Sequence, residues 1–166
     1  PAPRTTHYKR LTLYLNHKKE LDMSTLQGWC NYRVPYADSD QMGFVYYGRY
    51  LTYFERARNE LLRALNFTYK EMEARGLGLP VIEAHVNYRQ PACYDDELRI
   101  SAELDWLKLV RMQVFCRVWR GDELLADGYT IHAVMDLDSK KATRLPHDLE
   151  SLFRQNMINR ENESEA

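Results

Sequence analysis

Tyr36-Ala37-Asp38-Ser39-Asp40-Gln41-Met42-Gly43 leads, through Phe44 and Val45, into Tyr46-Tyr47-Gly48-Arg49-Tyr50-Leu51-Thr52-Tyr53-Phe54-Glu55-Arg56-Ala57-Arg58. The change of pattern between these two halves decides the fold. From Tyr46 to Leu65 the apolar residues Tyr47, Tyr50, Leu51, Phe54, Ala57, Leu61, Leu62 and Leu65 recur at threes and fours, with Arg49, Glu55, Asn59 and Arg63 between them. That period predicts one long helix. Its wide aromatic stripe suits a helix laid against a sheet, and it lacks the Lys-rich polar face of a membrane-surface helix. The half before it, Ala37 to Gly43, is turn-rich. It sets Asp38 and Asp40, with Ser39 between, ahead of a helix N-terminus and its unsatisfied backbone N–H groups. On spacing alone, Asx turns or a helix cap account for both carboxylates.

Upstream, Cys30 to Pro35 alternates, with Tyr32 and Val34 on one face, and reads as a strand ended by the proline. Downstream, Thr68-x-x-Glu71 is a capping box for a short second helix closed by Arg75-Gly76. Period-2 stretches follow at Val81 to Tyr88, Glu97 to Trp106, Val110 to Trp119 and Leu124 to Met135, with short connections that imply antiparallel neighbours. Asp136 to Lys140 reads as a turn, Lys141 to Leu145 as a last short strand, and Pro146 to Met157 as a closing helix. The order predicts an α+β domain in which one helix covers one curved antiparallel sheet.

A chain of 166 residues has room for one core. With 23 Lys+Arg against 24 Asp+Glu it carries no basic face for nucleic acid. Cys30, Cys93 and Cys116 are scattered, with no metal-ligand spacing, and read as reduced thiols of a cytoplasmic protein without metal or cofactor. Residues 1–28 read as an N-terminal extension, 29–157 as the folded domain and 158–166 as a polar tail. Met23 is a candidate native start, and no run is long and apolar enough for a signal peptide or membrane span. Phosphate loops, the G-x-S-x-G elbow and H-E-x-x-H are all missing from the sequence.

The string Y-x-D-x-D-x-x-G-x-V-Y-Y-x-x-Y-x-x-x-F-E-x-A-R, Tyr36 to Arg58, resembles the opening motif of the 4-hydroxybenzoyl-CoA thioesterase and Tol-Pal-associated acyl-CoA thioesterase family. Leu125-Ala126-Asp127-Gly128-Tyr129-Thr130-Ile131-His132-Ala133 resembles its last long strands, and Pro91 to Leu98 its strand-joining turn. The resemblance implies a hotdog fold, with the sheet wrapped around the long helix, and hydrolysis of an acyl-CoA thioester to free acid and coenzyme A. It also implies a homodimer or homotetramer with sites at the subunit interface. Asp40 falls on the family's catalytic carboxylate, Gly43 on its turn glycine and Tyr36 on a tyrosine beside the site. Tyr47 stands where one branch has histidine and the other has a tyrosine whose backbone N–H polarises the thioester carbonyl. An ionised Asp40 can attack that carbonyl or activate water, and the sequence leaves both routes open.

Two rivals remain. A hotdog hydratase pairs its Asp with a His five residues later, where this chain has Val45. A non-catalytic module binding acyl-CoA or an acyl carrier protein keeps the aromatic helix without needing Asp40. Tyr46, Tyr47, Tyr50, Tyr53 and Phe54 read as core or as acyl-pocket lining, and Glu55 with Arg58 or Asn59 as an exposed helix pair. His85 and His132 read as structural strand residues, and His7, His17 and His147 as solvated. Lys108, Arg111, Arg89 and Arg99 are candidates for the coenzyme A phosphates.

Overall fold

The structure is a computed structural model that describes residues 27–157. The expectations for Met23, His7, His17 and the tail from residue 158 lie outside the described residues. In chain order the elements are β1 (Gln27–Arg33), a 3-10 turn (Tyr36–Asp38), α1 (Arg49–Ala64), α2 (Tyr69–Ala74), β2 (Leu77–Gly78) and β3 (Val81–Tyr88). β4 (Glu97–Lys108), β5 (Arg111–Arg120), β6 (Glu123–Ala133), β7 (Met135–Asp136) and α3 (His147–Gln155) complete it. A five-stranded antiparallel sheet in the order β1-β4-β5-β6-β3 curves around α1, which is the expected hotdog architecture.

Strand alternation builds the core. Leu98, Ile100, Ala102 and Leu104 of β4 and Met112, Val114, Cys116 and Val118 of β5 are buried on one sheet face. Against them α1 lays Tyr53, Phe54, Ala57 and Leu61, all buried. Each such side chain contributes about 1.5 to 3 kcal/mol by leaving water. The α2 capping box forms as its sequence predicts: Thr68 Oγ1 accepts the Glu71 N–H at 3.2 Å and the Glu71 carboxylate accepts the Thr68 N–H at 2.6 Å.

Four expectations need correction. β1 starts at Gln27 and ends at Arg33, earlier than the Cys30 to Pro35 reading. The long helix starts at Arg49, after Gly48, because the Tyr46 N–H is drawn to the Asp38 carbonyl at 2.9 Å and the chain enters the helix only afterwards. Tyr47 therefore leaves the apolar stripe and is 62% exposed, Leu51 is 41% exposed, and Tyr53 takes the buried place. Lys141 to Leu145 forms no strand. It makes a single bridge, Ala142 to Met135, while β7 pairs instead with β2. Arg58 is no exposed helix partner either, since its guanidinium is largely buried and Nη1 donates to Thr130 Oγ1 at 3.4 Å.

His132 is satisfied within the core, as read from sequence. Its Nδ1–H donates to the Leu79 carbonyl at 2.9 Å, which leaves Nε2 to accept the Thr130 hydroxyl at 2.9 Å. Burial lowers its pKa to about 4, with the Leu79 bond opposing that shift and the Arg58 charge adding to it. A histidine depressed in the folded state is protonated first in the unfolded chain, so stability falls as pH drops below the unfolded value of about 6.5. Between pH 7 and pH 5 the expected loss is about 2 kcal/mol. Urea unfolding of wild type and His132→Gln at both pH values checks this, and equal losses in the two proteins would assign the pH dependence to other groups.

Candidate active site

Residues 38–46 fold back on themselves as a tight loop. The Asp40 N–H donates to the Phe44 carbonyl at 2.8 Å, the Gly43 N–H to the Asp40 carbonyl at 3.0 Å, and the Met42 N–H to Asp40 Oδ1 at 2.8 Å. Gly43 sits at φ +81°, a left-handed conformation that a side chain would strain. The Val45 N–H donates to the Ala92 carbonyl at 2.8 Å, and Phe44 bridges to Cys93, so the loop is stitched to the segment after β3.

The two carboxylates, indistinguishable by spacing, differ in environment. Asp38 is buried, and its Oδ2 accepts the hydroxyls of Tyr32 and Tyr53, each at 2.8 Å. Arg49 Nε stands 3.3 Å from Asp38 Oδ1. Burial first, and then the bond to Asp38, push both tyrosine hydroxyls above their ordinary pKa, Tyr53 the further. Asp38 therefore ties β1, the loop and α1 together. Asp40 is only partly buried. Its Oδ1 closes an Asx turn, as the bland reading of the spacing anticipates. Among the described residues its Oδ2 receives no hydrogen bond.

Asp40 lines a cavity of about 320 Å³ together with Phe44, Tyr47, Tyr50, Tyr88 and Arg89. Tyr47 lies just outside α1, whose Gly48 cap supplies no side-chain acceptor. The Tyr47 N–H finds no acceptor among the described residues. Asp40, Tyr47 and the Gly43 turn are thus brought together. Tyr36 is not: it is 80% exposed and packs edge-on against Tyr94, 5.8 Å between centroids, away from the cavity lining.

Of the four basic candidates only Arg89 lines this cavity. Its Nε donates to Asp127 Oδ2 at 3.0 Å, and Asn87 Nδ2 donates to Asp127 Oδ1 at 3.0 Å, so the guanidinium is held from behind. Arg99 stacks on Trp29 at 4.9 Å and Lys108 lies 5.4 Å from the Trp106 ring. Sequence reasoning missed Tyr88, whose signal was its place at the end of a strand, three residues before the strand-joining turn. Among the described residues no cluster of His, Cys, Asp and Glu is placed to hold a metal, and no helix is long and apolar enough to cross a membrane.

Similarity to known proteins agrees with this fold. An acyl-CoA thioesterase YbgC from Haemophilus influenzae is 34% identical over 122 residues, 73% of this chain and 90% of that protein. The crystal structure of a hypothetical protein from Thermus thermophilus superposes with a TM-score of 0.74 at 31% identity, covering 77% of this chain and 98% of the other. A DHNA-CoA thioesterase from Staphylococcus aureus gives a TM-score of 0.78 at 26% identity, over 83% of this chain and 95% of that one. The profile of the thioesterase-like superfamily matches residues 34–153, the span that carries the loop, α1 and every strand of the main sheet except β1, and the chain belongs to that family.

Proposed function

We propose that this protein hydrolyses acyl-CoA thioesters to a free carboxylic acid and coenzyme A, with Asp40 acting at the thioester carbonyl. One observation carries the reading: Asp40, whose Oδ2 receives no hydrogen bond among the described residues, and Tyr47, whose N–H finds no acceptor among them, line one largely apolar cavity. The Met42 N–H holds Asp40 Oδ1 and leaves Oδ2 as the working atom. By one route Oδ2 attacks the carbonyl carbon, the C–S bond breaks to release coenzyme A thiolate, and water hydrolyses the resulting anhydride. By the other, Oδ2 takes a proton from water, whose oxygen attacks the same carbon, and collapse of the tetrahedral adduct breaks the C–S bond to release the free acid and coenzyme A thiolate. Either way negative charge develops on the carbonyl oxygen, and the Tyr47 N–H stabilises it; one such donor is worth about 2.7 to 4 kcal/mol. Thiolate is a good leaving group, so no strong general acid is demanded. Gly43 lets the turn form that presents Asp40, and Tyr36 shapes only its outer side.

Thiol release from acetyl-, hexanoyl- and benzoyl-CoA tests the reading directly. Turnover of any member supports it and identifies the acyl class; no turnover of all three sinks it in favour of a binding module.

The same reading includes a second copy of the chain, in a dimer or a dimer of dimers. Among the described residues β3 is an edge strand with Val81 and Ile82 about half exposed, and an edge of this kind invites another strand. Ile82→Asp is expected to shift the protein toward monomer in analytical ultracentrifugation. An unchanged sedimentation coefficient would place the interface elsewhere.

A further inference from the structure

Tyr88 is the last residue of β3, half exposed, and it belongs to no part of the mechanism above. Its hydroxyl donates to the backbone carbonyl of Tyr47 at 3.0 Å. The helix itself supplies that carbonyl only poorly, because the Tyr50 N–H reaches it at 3.4 Å. The Tyr88 ring also meets the Tyr50 ring edge-on at 5.2 Å, and the Tyr50 hydroxyl accepts the Ala92 N–H at 3.2 Å. Two tyrosines thus clamp the entry of α1 to the end of β3 and to the segment that follows it.

The clamp acts on a peptide group flanking the one that carries the Tyr47 N–H, the proposed oxyanion donor. On one side, the Tyr46 N–H is fixed by the Asp38 carbonyl at 2.9 Å. The Tyr46 carbonyl, which shares its peptide plane with the Tyr47 N–H, accepts from the Arg49 N–H at 2.9 Å. On the other side, the next peptide plane is fixed chiefly by the Tyr88 hydroxyl. An oxyanion donor contributes only if it is oriented before charge develops, since reorientation during the reaction consumes the gain.

We propose that Tyr88 is a positioning residue of the thioesterase site, its hydroxyl fixing the Tyr47–Gly48 peptide and, through it, the adjoining plane whose Tyr47 N–H points to the reacting carbonyl. The inference rests on the thioesterase reading and goes beyond it by assigning a function to the end of the edge strand. It predicts a transition-state effect with little effect on ground-state binding, so kcat falls and KM does not.

The test is Tyr88→Phe, which keeps the ring against Tyr50 and removes only the hydroxyl, beside Tyr88→Leu and Asp40→Asn. With the best substrate of the panel, Tyr88→Phe is expected to lower kcat about tenfold with KM within about twofold of wild type and an unchanged pH profile. A second readout uses benzoyl-CoA labelled with ¹³C at the thioester carbonyl, bound to Asp40→Asn so that it persists. Adding Tyr88→Phe should reduce the downfield shift of the bound carbonyl, which a merely structural role would not move. Full activity in Tyr88→Phe, with or without loss in Tyr88→Leu, overturns the proposal and leaves the thioesterase reading intact. An undiminished carbonyl shift overturns it as well. If Asp40→Asn turns over like wild type, or wild type hydrolyses no thioester, the underlying reading fails and the inference falls with it.

Discussion

Asp40→Asn is expected to lower kcat/KM for thioester hydrolysis by about 10²- to 10⁴-fold, the range of a positioned base or acid, while the protein keeps its melting temperature. The substitution preserves shape. Asparagine Oδ1 still accepts the Met42 N–H that Asp40 Oδ1 accepts at 2.8 Å, so the Asx turn and the Gly43 turn persist. The Asp40 backbone bonds to Phe44 and Gly43 are untouched. What disappears is the anionic oxygen, and with it both routes, because an amide neither attacks the carbonyl nor takes a proton from water. Measuring thiol release by wild type and variant side by side, with circular dichroism as the control on folding, separates the possibilities. Equal turnover would place the reacting group elsewhere. Binding of acyl-CoA to both proteins with turnover by neither would favour the non-catalytic module.

Gly28→Ala is expected to cost about 3 kcal/mol or more, as severe overpacking does, and to lower the melting temperature by roughly 6 to 12 °C. Gly28 lies in β1 where the strand passes under α1, and a Cβ there would sit 2.1 Å from the Leu61 nitrogen, 2.5 Å from its Cα and 2.6 Å from the Ala57 carbonyl oxygen. All three are backbone atoms of the helix, so no rotamer change can make room. Either α1 rises from the sheet or β1 gives up its pairing with β4, in which Gly28 stands opposite Ala102. Since the same helix carries Tyr53 and Arg49 to Asp38, activity should fall with stability. Gly43→Ala is a useful contrast: its Cβ would meet nothing within 4 Å, and the cost comes only from φ +81°. Thermal unfolding of Gly28→Ala checks the prediction, and an unchanged melting temperature would mean that β1 and α1 do not approach this closely in solution.

Much of this was legible because it is local. The period of threes and fours from Tyr46 to Leu65 needs no partner to be recognised, and α1 occupies most of it, from Arg49 to Ala64. The Thr68 and Glu71 box lies within one turn and forms as written. The four long strands declared themselves by alternation, β3 with both ends as read and the other three with ends off by no more than two residues where pairing partners, not composition, set the limit. The motif around Asp40 could be located, but its two carboxylates could not be told apart, because the difference lies in what surrounds them. Tyr32 and Tyr53, contributed by β1 and α1, take Asp38 into the interior.

By itself, then, the sequence determined the order of the long helix, the capped short helix and the strands of the main sheet, the turn that Gly43 permits and the family motif, all consequences of short-range sterics and of where apolar side chains recur. Tertiary structure alone decided that Asp38 is held inside while Asp40 lines the cavity, that Tyr47 leaves the helix and that Arg89 is held by Asp127. It also decided that Gly28 admits no side chain. The reason is the same in each case. These properties belong to contacts between residues far apart in the chain, and such contacts exist only once the sheet has closed around the helix and brought the backbone of one element against the side chains of another.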